Sequence, residues 1–311
     1  MARKFQIVNK RDVFFYLCCI GICSVIGLFA PLNWFCDLFT HFRPQAVLGA
    51  LVILPVAWFL KDRRSVILAF CIMALNGAII GKGIYDFHLP ATSTAVTQPV
   101  SIISANIFMG SGDYSATIKM LDEYKPDIFV ALEVDDAWMK GLKEIEAEYP
   151  HRLQVPRDDY FGMAIYSRFP FEGKELEVGV YGATLLRADF ADFTLFTLHP
   201  PPPAQPAAAA ELSRYLAEMS QIAQKTTKPL AVAGDMNTTL WSDNAKYFKA
   251  AGLKSPSAGF AWTWPAGFFP LAIQIDHIFV RDLAVKSFTA LSGINSDHYP
   301  VRAELLVPAK P

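Results

Sequence analysis

The chain has 311 residues, of which 53% are hydrophobic, with a positive mean hydropathy and a formal net charge of −1. The length suits one large domain with an appendage, and so apolar a composition excludes an ordinary soluble protein. Of the 28 basic and 29 acidic residues, 19 and 25 follow residue 86, a net of −6, which counts against a general nucleic-acid binder with its basic footprint, although a metal-dependent enzyme can neutralise phosphates with its cation.

Three apolar runs open the chain, at residues 13–32, 45–60 and 65–85. A helix that crosses a bilayer needs about 20 mostly apolar residues, within a range of about 17 to 25. The first and third runs fit, and the second is at the short end; its alternative is a re-entrant or buried core helix. Arg3, Lys4, Lys10 and Arg11 precede the first run, and Lys61, Asp62, Arg63 and Arg64 separate the second from the third. Between the first and second, only Asp37, His41 and Arg43 are ionisable. Basic residues stay on the cytoplasmic side. That predicts a cytoplasmic N-terminus, three crossings of the cell (inner) membrane, and everything after residue 87 in the periplasm or outside the cell. The first run lacks a small-residue cleavage site and two more follow it, which argues against a signal peptide. All five cysteines (Cys18, Cys19, Cys23, Cys36 and Cys71) lie in this part. Cys18, Cys19 and Cys23 read as small hydrophobes in a lipid-facing helix, and a cysteine-free exported domain is compatible with life outside the cytoplasm.

Residues 88–96 are small, polar and Pro-containing and read as a linker, with a catalytic domain over 97–311. A strand ends near Asn106, and a helix follows with Asp113 or Ser115 as its cap and Pro126 as its stop. IFVAL is a buried strand, DDAWMKGLKEIEAEY an amphipathic helix, and HRLQV, GMAIYSR, KELEVGV, TLLRADF and FTLFTLH are short strands. A helix runs through AAAAELSRYLAEMSQIAQK, a buried strand through PLAVAGD, and another helix through DNAKYFKAAG. IDHIFV, AVKSFTA and YPVRAELLV end the chain as strands. Strands outnumber helices and run mostly as meanders, which predicts two sheets packed face to face with helices outside.

Polar residues stand where these apolar runs end, and burying them is costly unless they are paired or metal-bound. In Gly234-Asp235-Met236-Asn237, Asp235 can hold or activate a water and Asn237 can donate to a phosphate oxygen; the alternative is an Asx turn that caps the next helix. Glu133 is a hard oxygen ligand suited to Mg²⁺, or else a solvated loop carboxylate. Asn106 gains weight only from its company. Asp276 can fix the tautomer of His298, which would act as general base or as a cationic stabiliser, with Asp297 directed toward a metal. His277 alternates with Asp276 and reads as a packed histidine. His199 can donate to a phosphate oxygen or the leaving group, or bond backbone at its strand end. Arg187, Arg168 and Tyr181 are weaker candidates for contact with phosphate.

Asn106, Glu133, His199, Gly234-Asp235-Met236-Asn237, Ile275-Asp276-His277 and Ser296-Asp297-His298 occur in this order. The set resembles the endonuclease/exonuclease/phosphatase superfamily, the fold of deoxyribonuclease I, apurinic endonucleases, inositol polyphosphate 5-phosphatases and neutral sphingomyelinases. The resemblance covers roughly residues 97–307, and Thr263-Trp264-Pro265 is similar to a segment of its membrane-anchored bacterial members. It implies a four-layered α/β sandwich and Mg²⁺- or Mn²⁺-dependent phosphoester cleavage. In that pattern Asn106 and Glu133 hold the metal with Asp297 near it, Asp235 and Asn237 orient water and phosphate, Asp276 pairs with His298, and His199 is the second catalytic histidine. One departure stands out: where nuclease members carry an acidic partner for the second histidine, Gly162-Met163-Ala164-Ile165-Tyr166-Ser167-Arg168 has no carboxylate.

Residues 260–269 hold five aromatic residues, Trp262 and Trp264 among them, and no charge. They can stack bases, touch a lipid surface, or fill core as a covering loop. With the acidic domain, they favour a lipid head group or other small phosphodiester over long DNA or RNA. The competing class is a catalytically silent binding protein on the same fold. No obligate protein partner is evident.

Overall fold

The computed structural model of the chain describes residues 9–89, 97–180 and 182–308. The chain divides into two compact units: residues up to Tyr85 together with Leu240–Asp243, and the remainder, Asp86–Thr239 with Asn244–Pro311. Most of the expected linker, residues 90–96, lies outside the described residues, as do Arg3 and Lys4.

The first unit is helical: α1 (Lys10–Ile26), α2 (Trp34–Leu38), α3 (Arg43–Phe59) and α4 (Arg63–Phe87). Asn9 caps α1 by accepting from the backbone N–H of Arg11 and Asp12, and Asp12 reaches back to the Asn9 N–H, which closes a capping box. Two stretches, Lys10–Phe29 and Arg63–Phe87, are long and apolar enough to cross a membrane. The third, α3, has 17 residues, so the expectation of three crossings stands on two helices of spanning length and a shorter one. Val13, Leu17, Ala50, Ala57, Ala69 and Ile72 form the core of the unit. Asp37, His41 and Arg43, the ionisable groups between the first two apolar runs, are buried: Thr40 Oγ1 donates to Asp37 Oδ1 (2.9 Å), and Arg43 donates to Asn76 Oδ1 (3.0 Å).

The second unit carries two mixed sheets. The first has the order β10-β11-β1-β2-β4-β3, from β1 (Thr97–Asn106), β2 (Ile128–Leu132), β3 (His151–Val155), β4 (Met163–Ser167), β10 (Ala284–Ala290) and β11 (Val301–Pro308). The second has the order β5-β6-β7-β8-β9, from β5 (Glu172–Glu177), β6 (Thr184–Asp189), β7 (Thr194–Leu198), β8 (Leu230–Asp235) and β9 (Asp276–Arg281). Only β1/β2 and β7/β8 pair in parallel. Successive residues of a strand point to opposite faces. Accordingly Val100 and Ile102 enter the core between the sheets with Val130, Leu195 and Ile278. Ile103 and Ala105 turn outward with Phe129, beneath α5 (Tyr114–Tyr124) and α6 (Asp136–Gly141). Each such fully buried Ile or Phe contributes roughly 1.5–3 kcal/mol. On the other outer face, α8 (Ala245–Ala250) stacks Phe248 on Phe279 at 4.6 Å. There α7 (Pro206–Lys225) buries Leu212, Tyr215, Leu216 and Met219, and the Tyr215 hydroxyl donates to Thr184 O. The predicted helix–sheet–sheet–helix arrangement is the one observed. It brings the carboxyl ends of both parallel pairs, β1/β2 and β7/β8, and the start of β9 to one edge.

Candidate active site

The site is assembled at that edge. Gly234 has φ 151°, and a Cβ there would stand 2.0 Å from Leu198 O, so only glycine lets β8 end so close to β7. The chain then turns: Asp235 Oδ1 accepts from the Asn237 N–H (2.9 Å) and Asn237 Nδ2 donates to Pro200 O (2.9 Å). Glu133 and Asn237 adopt left-handed φ values of 63° and 47°. Such residues cost on the order of 1–3 kcal/mol and cluster where a side chain must be aimed. The Asx turn and the aimed side chains coexist here.

Asp235 stands at the centre. Its Oδ2 lies 3.6 Å from His298 Nε2, 3.8 Å from His199 Nε2 and 3.5 Å from Asn106 Nδ2. His298 Nδ1 meets Asp276 Oδ2 at 2.9 Å, the pairing that fixes an imidazole's tautomer. Asn106 Nδ2 donates to Glu133 Oε1 (2.9 Å), and the Met109 N–H donates to Glu133 Oε2 (3.2 Å). Asn106, His199, Asp235, Asp276 and His298 are all buried.

Burial pushes Asp235 up to about 6, ahead of the two imidazoles that pull it down. Burial also raises Glu133 and lowers His199. For His298 burial works against the charge, but Asp276 and Asp235 outweigh it and push the imidazole up to about 10. Each value follows from desolvation set against a neighbouring charge.

Three carboxylates therefore surround one imidazolium, an excess of negative charge that suits a dication. Asp235, Asp276 and His298 place ligand atoms within 4.8 Å of one another. Asp276 and His298 are, however, already satisfied by each other. Glu133 accepts from the neutral N–H groups of Asn106 and Met109, and the imidazole nearest it, His199 Nε2 at 4.0 Å, is pushed toward its neutral form by burial, so its charge has the greater need of a cation. The donor chemistry fits a hard oxygen-loving ion such as Mg²⁺.

Asp297 lies at the rim, where its Oδ2 accepts from Trp264 Nε1 at 3.1 Å. The Trp264 ring lies 6.3 Å from that of His298. Trp262 packs between Phe260 (5.7 Å) and Phe269 (5.8 Å). Arg187 is held by Asp189 (2.7 and 2.9 Å) and lies over the Phe196 ring. Arg168 is paired with Glu148. Neither arginine joins the cluster, because each is spent on a nearby carboxylate. Tyr181 lies outside the described residues. His277 bonds Thr238 O (3.1 Å) and Gln274 (3.3 Å) and stacks on Phe279, away from His298.

Two residues that the sequence offers only as members of motifs, Thr263 and Ser296, position the cluster, and Phe161 adjoins it without any signal in the sequence. Thr263 Oγ1 accepts from the N–H of both Ile275 and Asp276 (3.2 Å each), and Thr263 O accepts from the Tyr299 N–H, so one residue braces both sides of the Asp276–His298 pair. Ser296 Oγ donates to Asn106 O (2.8 Å) and accepts from the His298 N–H (3.0 Å). Phe161 packs its ring 5.4 Å from that of His199, whose buried Nδ1 has no hydrogen-bond partner among the described residues.

Residues 103–298 match the Endonuclease/Exonuclease/phosphatase family. The chain belongs to this family. Its fold recurs in solved structures. One is an endonuclease/exonuclease/phosphatase from Beutenbergia cavernae (TM-score 0.55, 19% identity, 68% of this chain and 72% of the other). Another is a humanized D. rerio TDP2 (0.54, 19%, 67% and 98%). A third is sphingomyelinase C from Streptomyces griseocarneus (0.51, 16%, 67% and 99%). No curated protein matches the sequence. The family is one of hydrolases acting on phosphoesters, and the buried Asp235–Asp276–His298 group is compatible with a metal-dependent member.

Proposed function

We propose that the chain is a membrane-anchored, divalent-metal-dependent phosphodiesterase whose catalytic unit works outside the cytoplasm. The observation that carries this reading is the line Asp276–His298–Asp235–His199, with separations of 2.9, 3.6 and 3.8 Å, at the carboxyl ends of two parallel strand pairs. Asp276 holds His298 as an imidazolium whose Nε2 faces the phosphoryl oxygens. Asp235, raised toward neutrality, takes the proton of the attacking water, the condition under which a general base is efficient. His199 and the second N–H of the Asn237 amide donate to the remaining phosphate oxygens. Glu133 and Asn106, with Asp297 nearby, would hold Mg²⁺ or Mn²⁺. When bound, the ion supplies Lewis-acid neutralisation of phosphoryl charge.

Helices that expose Phe15, Ile22, Val52 and Ile67 at about 60% or more support the membrane anchor, since large apolar patches are rare on water-exposed surfaces. Residues 255–275 carry no charge, and Phe268 and Phe269 are exposed beside the site. Those features favour a lipid head group as substrate. The test uses the full chain in detergent with Mg²⁺ or Mn²⁺ and bis(p-nitrophenyl) phosphate. Hydrolysis is expected, with loss on chelation and at least a hundredfold loss in His298→Ala and Glu133→Ala. Activity that survives both substitutions would refute this site. Plasmid DNA run beside phospholipid vesicles separates a nuclease from a lipid phosphodiesterase.

A further inference from the structure

The catalytic unit contains a cavity of ≈ 320 Å³ that none of these roles uses. Phe161, Val180, Pro201, Ala207 and Ala208 form its apolar wall. It adjoins the site at two points. Phe161 is the residue whose ring meets His199, and Pro201 follows Pro200, whose carbonyl holds Asn237. A group attached to a phosphate at His199 and Asn237 therefore has this cavity within reach. Its size falls at the lower end of the range of small-molecule sites, roughly 300–1,000 Å³.

The charges in its lining are unequal. The guanidinium of Arg157 is spent: Nε and one terminal nitrogen hold the Asp159 carboxylate, and the other terminal nitrogen donates to Gly182 O at 2.9 Å. Asp159 is neutralised by the same pair. Glu211 is different. It is buried, accepts the Val180 N–H, and has no cationic partner among the described residues. A Cβ on Gly179 would collide with its carboxylate, so the backbone closes on Glu211 from that side. The lining thus presents one uncompensated negative charge beside an aromatic face and small alanines. A further phosphate of a polynucleotide would meet repulsion there. An apolar cation would gain both the carboxylate and the Phe161 ring.

We propose that this cavity receives the organic portion of the phosphoester substrate, and that this portion is an apolar cation of the alkylammonium type. The proposal rests on the phosphodiesterase reading for its link to catalysis but not for the binding itself. Two measurements on the full chain in detergent separate the two. In the first, saturation-transfer NMR follows benzyltrimethylammonium and, as its anionic counterpart, benzenesulfonate. The cation is expected to bind the native chain and to lose at least tenfold in affinity in Glu211→Gln and in Ala208→Trp, while the sulfonate gives no variant-dependent signal. In the second, KM for the p-nitrophenyl diester of 2-(trimethylammonio)ethyl phosphate is expected to rise at least tenfold in both variants, with turnover of methyl p-nitrophenyl phosphate unchanged. Equal cation binding by all three proteins overturns the proposal, as does a parallel change for both substrates. Variant-dependent cation binding without hydrolysis of either ester by the native chain leaves the cavity standing and removes the phosphodiesterase reading. Ala208→Trp keeps the test intact should Glu211→Gln fail to fold.

Discussion

At the scale of single residues, His298 depends on Asp276. The carboxylate fixes the ring at 2.9 Å and, together with Asp235, outweighs the burial that opposes its charge. Asp276→Asn keeps the shape but removes the charge, so kcat should fall roughly 10²–10⁴-fold with little change in KM; steady-state kinetics that show less than a tenfold loss would remove Asp276 from its role. His277, next in sequence, is buried as a neutral ring and pushed down to about 4 from an ordinary value of 6.5, burial being the main cause. Between those values the unfolded chain binds the proton and the folded chain does not. Stability is therefore full above about pH 6.5 and falls as pH drops toward 4, by roughly 3 kcal/mol at 1.36 kcal/mol per unit. The thermal midpoint of His277→Gln in chelator should slope less steeply between pH 7 and 5 than that of the native chain, and an unchanged slope would contradict this. The polar cluster was legible because Asn106, Glu133, Asp235 and His199 each close an apolar run. Thr263 was visible only as part of the Thr263-Trp264-Pro265 segment, and its role was not legible, because it works through backbone N–H groups that sequence does not display. Arg187 misled for the opposite reason: Asp189, two residues on, takes its charge.

At the scale of elements, the buried strands IFVAL and PLAVAGD were legible because both faces are apolar; Ile128–Leu132 and Leu230–Asp235 are wholly buried. The helix expected over DDAWMKGLKEIEAEY was legible only in part. It breaks at Gly141 into α6 and a 3-10 turn over Leu142–Ala147. Glycine weakens a helix, and here it also makes room: a Cβ at 141 would stand 2.3 Å from the Tyr114 ring. That contact joins elements far apart in sequence, so no local pattern reveals it. The junction of β7 and β8 obeys the same logic with more at stake. Gly234→Ala would drive a Cβ against the Leu198 carbonyl at a φ that L-residues avoid. A loss on the order of 3 kcal/mol is expected, and because His199 and Asp235 end these two strands, activity should drop even in the fraction that folds. Chemical denaturation together with specific activity checks both; native stability in Gly234→Ala would show that the strands need not approach so closely.

At the scale of the whole molecule, the side of the membrane on which catalysis occurs depends on parity. With a cytoplasmic N-terminus, three crossings export the catalytic unit and two retain it. The deciding element is α3, whose 17 residues span about 26 Å at 1.5 Å per residue, against a hydrocarbon core of about 30 Å. Pro55 lies inside it, and its neighbours set its fate. Lys61, Arg63 and Arg64 follow it, and such a cluster resists translocation. Before it, Arg43 is buried, with one terminal nitrogen bonded to Asn76 of α4, so this charge is held inside the helical unit and does not anchor its end in the cytoplasm. Basic charge is therefore concentrated after α3 and not before it, which favours a crossing that leaves residues 61–64 inside. A phosphatase reporter fused after residue 95 should be active only as an exported protein, while one fused at residue 62 should be inactive and a cytoplasmic reporter there active. Phosphatase activity at residue 62 with cytoplasmic reporter activity after residue 95 would mean that α3 does not cross, and the acidic catalytic unit, net −6 beyond residue 86, would then face the cytoplasmic leaflet, whose anionic lipids repel it.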